Sequence, residues 1–188
     1  PYDTFSFGHT GTSLSAALGL ACGKRHLDSS PDVVAVIGDG ALASGMPFEA
    51  LFHAGSMDRD MLVVLNDNKM SISPTVGAVG RYLSRIRTSA PYTEAKEDLL
   101  DLLHRIPSVS SYFENLRRRI KEGLHAALTP GGVFVELGFN YYGPADGHDL
   151  DELVTNFRRL KKIGGPKILH VLTEKGHGFG PASQNPTA

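Results

Sequence analysis

Little in this chain ties it to an oxidising compartment, a membrane or a nucleic acid. Cysteine occurs once, at Cys22, so no internal disulfide can form, and a reducing, cytoplasmic setting is expected. No apolar run approaches the roughly 18 residues of a membrane-spanning helix. No basic-then-apolar leader opens the chain. Neither sign of charge prevails: 19 Lys+Arg against 20 Asp+Glu leave −1 over 188 residues. That balance, with an isoelectric point of about 6.8, excludes the basic face that a nucleic-acid partner requires. The most basic cluster, Arg117-Arg118-Arg119 with Lys121, has acidic and apolar neighbours and reads as a solvated helix face. Internal repeats and low-complexity tracts are absent. No Gly-x-Gly-x-x-Gly follows a strand pattern, which argues against dinucleotide binding. The first residue is Pro1 rather than Met, and the last residues follow closely on a glycine-rich motif. A single partial domain over 1–188, cut from a longer protein, is therefore expected.

Glycine, in contrast, is plentiful, and its 21 residues tend to close apolar runs, as in strand–loop–helix units. Val33-Val34-Ala35-Val36-Ile37 is continuous, β-branched and closed by Gly38, which predicts a strand buried on both faces of a parallel sheet. Met61-Leu62-Val63-Val64-Leu65 and the run over 167–173 predict two more strands, and 139–142 a weaker one. Helices are predicted over 12–23, with Thr10 and Thr12 as candidate caps, and over 47–54, with Pro47 in the first turn. A further helix is predicted over 150–162, where Leu150, Leu153, Val154, Phe157 and Leu160 share one face. This alternation predicts an α/β fold, a parallel β-sheet with helices on both faces. Segment 83–129 is charged and lacks a strand pattern. It reads as a helical or mobile excursion, with ordinary helical layers on the sheet as the alternative.

Parallel α/β sheets bind ligands beyond the carboxyl ends of their strands. Two such ends carry polar groups here: Gly38-Asp39-Gly40-Ala41 and Asn66-Asp67-Asn68-Lys69-Met70-Ser71. Asp39 and Asn68 lie 29 residues apart, room for one helix and one strand, so the two ends can be neighbours. A carboxylate, an amide oxygen and free backbone carbonyls are the hard donors that Mg²⁺ takes alongside phosphates. Glycines beside Asp39 let a diphosphate approach the backbone, and the N–H groups that open the next helix can meet its oxygens. Alone, each motif is a turn or a loop. Together, at this spacing, they resemble the thiamine-diphosphate-binding signature.

The resemblance extends to one family. In chain order, Gly8-His9-Thr10-Gly11-Thr12-Ser13-Leu14-Ser15, the stretch from Asn66 through Ser73, Gly143-Pro144-Ala145-Asp146-Gly147-His148-Asp149, and Thr173-Glu174-Lys175-Gly176-His177-Gly178-Phe179 resemble segments of 1-deoxy-D-xylulose-5-phosphate synthases. The resemblance implies a transketolase-like diphosphate domain. It implies Mg²⁺ held by Asp39, Asn68 and the Met70 carbonyl. The thiamine diphosphate site it implies comprises Gly8, His9, Thr10, Gly38, Asp39, Gly40, Ala41, Asn68, Met70, Lys175 and Phe179, with His9 the catalytic candidate. The implied reaction condenses pyruvate with glyceraldehyde 3-phosphate to 1-deoxy-D-xylulose 5-phosphate and CO₂, for isoprenoid, thiamine and pyridoxal synthesis. It also implies a homodimer, and a pyrimidine-binding domain or partner chain beyond these residues. The fragment alone is therefore expected to be inactive and to expose apolar surface. Another transketolase-type enzyme or split subunit, and a non-catalytic remnant that binds a partner, are the alternatives. Thr10, Gly11, Lys69 and Ser183 depart from the family's usual residues.

Of the eight histidines, His26, His104 and His125 stand in no motif, whereas His53 and His170 read as packing, the latter with a hydrogen bond. His148 reads equally as part of a turn before a helix capped by Asp149 and as an active-site group. His177, between two glycines, has no specific role assigned. Cys22 reads as a small core residue.

Overall fold

The protein is described by a computed structural model at residues 5, 8–26, 31–70, 77–88 and 131–184. Among these, four strands form one parallel sheet: β1 (Val34–Gly38), β2 (Met61–Asp67), β3 (Asn140–Asp146) and β4 (Pro166–Leu172), in spatial order β1-β2-β4-β3. The helices are α1 (Ser13–Gly23), α2 (Asp39–Leu42), α3 (Gly45–Met57), α4 (Gly77–Thr88), α5 (Gly132–Glu136), α6 (Leu150–Leu160) and α7 (Gly180–Gln184).

The central strands β2 and β4 are buried almost throughout, which is why their sequences are mostly apolar, with Asp67, Lys167 and His170 as buried polar exceptions. Alternate residues serve opposite faces. Val63, Leu65 and Ile168 join Ala35 and Ile37 in a core with Leu14 and Leu18 of α1, Leu51 of α3, Leu83 and Ile86 of α4 and Phe134 of α5. Leu62, Val64, Leu169 and Val171 face the other way, against Leu160 of α6. Helices thus cover both faces, as predicted.

β1 departs from expectation. It is an edge strand, and although Ala35 and Ile37 are buried, Val34 is 52% and Val36 64% exposed. Among the described residues only the end of α6 reaches that half of the second face, with Lys161 2.8 Å from Asp32, and leaves it largely open, so a continuous β-branched run did not mean burial on both sides. Likewise only Leu160 of the α6 stripe is fully buried, and Leu150 and Val154 are exposed. β3 runs on to Asp146, past the predicted end, with a register shift between Tyr142 and Ala145. Over 83–88 the alternative reading holds, an ordinary helical layer on the sheet rather than an excursion: Leu83 and Ile86 are core residues of α4. Residues 89–129 lie outside the described residues, with His104, His125 and the Arg117 cluster among them. Thr12 precedes α1 but makes no side-chain cap; its hydroxyl donates to the His9 carbonyl at 2.9 Å. His53 is exposed rather than packed, and Cys22 is half-buried beside Met57.

At the amino end of the sheet, Lys167 is buried and donates to Asp60, to the Ile163 carbonyl and to the Gly165 carbonyl. Lys24 adds a second cation at 3.4 Å from Asp60. Burial pushes the Asp60 carboxyl up, but the Lys167 hydrogen bond and the two lysine charges outweigh it and hold the group below its ordinary value. Among the described residues, no helix is long and apolar enough to cross a membrane.

Candidate functional site

The parallel register sets Gly38 of β1 opposite Asn66 of β2. Asp39 opens α2 directly after β1, and Asn68 follows the end of β2, so the two polar strand ends are neighbours, as their spacing allowed. Asp39 is buried. A third segment closes in from the start of α1. Gly11 has φ +84 and is buried, and a Cβ there would stand 2.8 Å from Ser44 Oγ and 3.1 Å from the Pro47 ring. This contact sets the Gly8-His9-Thr10 loop beside the α2–α3 junction, just past Gly40 and Ala41. Gly8, His9 and Thr10 are themselves exposed.

The turn after β2 is tightly defined. Asn68 Oδ1 accepts the Met70 N–H at 2.9 Å, and Asp67 Oδ1 accepts the Lys69 N–H at 3.2 Å. Lys69 adopts φ +63, uncommon for a residue with a Cβ, and its side chain is exposed. Thr173, after β4, donates its N–H to the Asp67 carbonyl at 3.0 Å and its hydroxyl to Asn66 Oδ1 at 2.6 Å. The rest of the matched motif, 71–73, lies outside the described residues.

Beneath this turn runs a buried polar chain. The side chains of Asp67 and His170 are both wholly buried, with His170 Nε2 3.0 Å from Asp67 Oδ2. His170 Nδ1 lies 2.7 Å from the Tyr141 hydroxyl, and Arg87 of α4 donates to Asp67 Oδ1. Burial drives the Asp67 carboxyl up, yet the His170 hydrogen bond and the Arg87 charge more than offset it, so the group sits below its ordinary value and is ionised at neutral pH. An ionised carboxylate only accepts, so His170 Nε2 carries the proton that faces it. Burial raises the Tyr141 phenol and keeps it neutral.

At the ends of β3 and β4, Asp149 caps α6 by accepting the Glu152 N–H at 2.9 Å, which bears out the cap. His148 belongs both to a turn and to a cleft. Its N–H donates to Asp146 Oδ1 at 2.8 Å, its Nε2 accepts the Glu174 N–H at 2.8 Å, and its ring stacks on His177 at 3.7 Å. Asp67, Lys69, Arg87, His148, Thr173 and Glu174 line an open cleft of about 530 Å³. Lys175 and Phe179 follow β4 on this same end of the sheet, two strands from β1, and both are exposed. Ser183 has a structural job: its hydroxyl donates to the Gly176 carbonyl at 2.7 Å and closes the turn that carries them.

The donors at the two strand ends suit Mg²⁺. Asp39 offers a carboxylate, Asn68 an amide oxygen with a second lone pair beyond the one facing Met70, and Met70 a carbonyl. Among the described residues no three His, Cys, Asp or Glu side chains gather around a common point, so oxygen donors of mixed type are the set available.

A sequence profile described as 1-deoxy-D-xylulose-5-phosphate synthase matches residues 1–173. The chain belongs to that synthase family. It is 50% identical over 186 residues to the synthase of Thioalkalivibrio sulfidiphilus, covering 99% of this chain and 28% of that protein. Against the synthase of Syntrophomonas wolfei the identity is 49% over 185 residues, covering 98% and 29%. The chain thus spans less than a third of the length of these curated relatives. Its fold is shared with transketolases from Campylobacter jejuni (TM-score 0.53, 19% identity, 89% of this chain and 20% of that one) and Leishmania mexicana (TM-score 0.52, 19% identity, 88% and 20%). Within this synthase-family domain, Arg87 and Tyr141 were not visible as site residues. The available signals were an acidic residue inside Asn-Asp-Asn and one histidine in an apolar strand.

Proposed function

We propose that this chain supplies the diphosphate and Mg²⁺ half of a thiamine-diphosphate site in a cytoplasmic, homodimeric 1-deoxy-D-xylulose-5-phosphate synthase. The whole enzyme condenses pyruvate with glyceraldehyde 3-phosphate and releases CO₂. The observation that carries this reading is the Gly38–Asn66 register, which makes Asp39 and the Asn68–Met70 turn neighbours.

In this reading Asp39, Asn68 and the Met70 carbonyl hold the cation, which in turn holds the diphosphate. Gly8, Thr10, Gly38, Gly40 and Ala41 let the diphosphate lie close to the backbone. Lys175 brings a cation to it, Phe179 flanks the cofactor, and His9 presents an imidazole toward the substrate. When bound, thiamine diphosphate supplies the carbon that accepts the two-carbon unit of pyruvate. These 188 residues span less than a third of the synthases they match and are expected to form no product on their own.

Calorimetric titration of thiamine diphosphate into the natural gene product, with and without Mg²⁺, tests the reading. Asp39→Ala is expected to abolish the Mg²⁺-dependent component, and unchanged binding refutes the site. Product formation from pyruvate, against a ketose phosphate as donor, separates this reaction from that of a transketolase.

A further inference from the structure

We propose that Arg87, His170 and Tyr141 act through Asp67 as positioning residues for the Asn68–Met70 turn, and thereby set how tightly that turn holds Mg²⁺. The proposal rests on the metal reading above.

Asp67 is the residue before Asn68, and its acceptors fix both sides of the turn. Oδ1 accepts the Lys69 N–H and Arg87, Oδ2 faces His170 Nε2, and the main-chain carbonyl accepts the Thr173 N–H. The bond to the Lys69 N–H holds the left-handed φ of +63 that brings the chain round. The turn so formed aims Asn68 Oδ1 at the Met70 N–H. If Asp67 rotated, its bond to the Lys69 N–H would be released, and the turn that aims Asn68 would lose that restraint.

His170 prevents that rotation, and its orientation is fixed from behind. Nε2–H donates to Asp67, and Nδ1 on the far side of the ring is hydrogen-bonded to the Tyr141 hydroxyl at 2.7 Å. Tyr141 is held in turn by its ring stacked on Phe134 and by the bare backbone of Gly131, where a Cβ would stand 2.3 Å from the tyrosine ring. Arg87 bonds the other oxygen from α4. A charge pair built on a buried carboxylate is a weak source of stability, and apolar residues of the same volume would serve a core at least as well. Its place directly under the turn that offers the metal donors fits a geometric role. Groups that orient metal ligands are worth about 10- to 100-fold in metal affinity.

The experiment is a calorimetric Mg²⁺ titration at saturating thiamine diphosphate in the natural gene product, which reads the Kd directly, with activity against Mg²⁺ concentration followed in parallel. His170→Phe keeps the ring volume and loses both hydrogen bonds. It is expected to raise the apparent Kd for Mg²⁺ about tenfold, with activity recovered by excess Mg²⁺. His170→Gln restores a donor toward Asp67 and is expected to return the Kd to within about threefold of the wild type. Loss of packing alone would not be rescued by the cation or by glutamine. A His170→Phe protein within twofold of the wild-type Kd overturns the proposal. Where His170→Phe does not fold, Tyr141→Phe decides: a Kd raised about threefold supports the relay and an unchanged Kd overturns it. Asp39→Ala, measured in parallel, separates the two ideas. If it leaves Mg²⁺ binding intact, the metal reading falls and the proposal with it. If it abolishes binding while His170→Phe changes nothing, only the relay falls.

Discussion

Gly55 of α3 and Gly138, just before β3, lie backbone against backbone: a Cβ on Gly55 would stand 1.6 Å from the Leu137 carbonyl oxygen. No side chain fits without moving one of the two segments. Gly55→Ala is expected to cost about 3 kcal/mol through overpacking. A urea midpoint equal to that of the wild type would show that the contact is not held in solution.

Gly11 stands where the resemblance to the synthases implies a serine. Here its φ of +84 and the 2.8 Å approach to Ser44 Oγ leave no room for a Cβ. Gly11→Ser is therefore expected to destabilise the chain by about 1–3 kcal/mol, the usual cost of a strained backbone residue. Gly11→Ala should behave alike, since the Cβ rather than the hydroxyl is at fault. Equal stability of all three proteins in urea would mean that this loop relaxes freely.

The Asp60 cluster predicts an acid-side loss of stability. Its folded carboxyl lies below the ordinary 3.8, so its contribution is full above that value and fades as pH falls through the lower, folded one. Asp60→Asn should flatten the decline in urea midpoint below about pH 4 and lower the midpoint at pH 7. A parallel decline in the variant and the wild type would show that Lys167 and Lys24 do not depress this group.

Val34 and Val36 on β1, with Leu150 and Val154 on α6, leave apolar side chains open on one side of the sheet. The isolated 188-residue chain is expected to self-associate at high concentration, seen as a mass above 20.2 kDa in light scattering. Val36→Lys should reduce the association. A monodisperse wild-type monomer would contradict the expectation.

Legibility followed topology. β1, β2 and β4 were visible because strands in a parallel sheet show as continuous β-branched and apolar runs. β3 was faint because Tyr141-Tyr142-Gly143-Pro144 mixes ring, glycine and proline, and its ladder shifts register there. Asp39 and Asn68 stood out as polar groups at strand ends. The relay did not, because Arg87 and His170 lie 20 and 103 residues from Asp67, and only the packing of α4 and β4 against β2 unites them. The open face of β1 was hidden for the opposite reason: a run of valines records suitability for burial, not the presence of a cover.

One carboxylate is shared by partners from three stretches of chain, its own turn, α4 and β4, and Tyr141 of β3 reaches it through His170. The cost of a change therefore depends on its place in the set: losing Arg87 would leave the buried carboxylate without its cation, whereas losing the Tyr141 hydroxyl would leave the carboxylate's own partners in place.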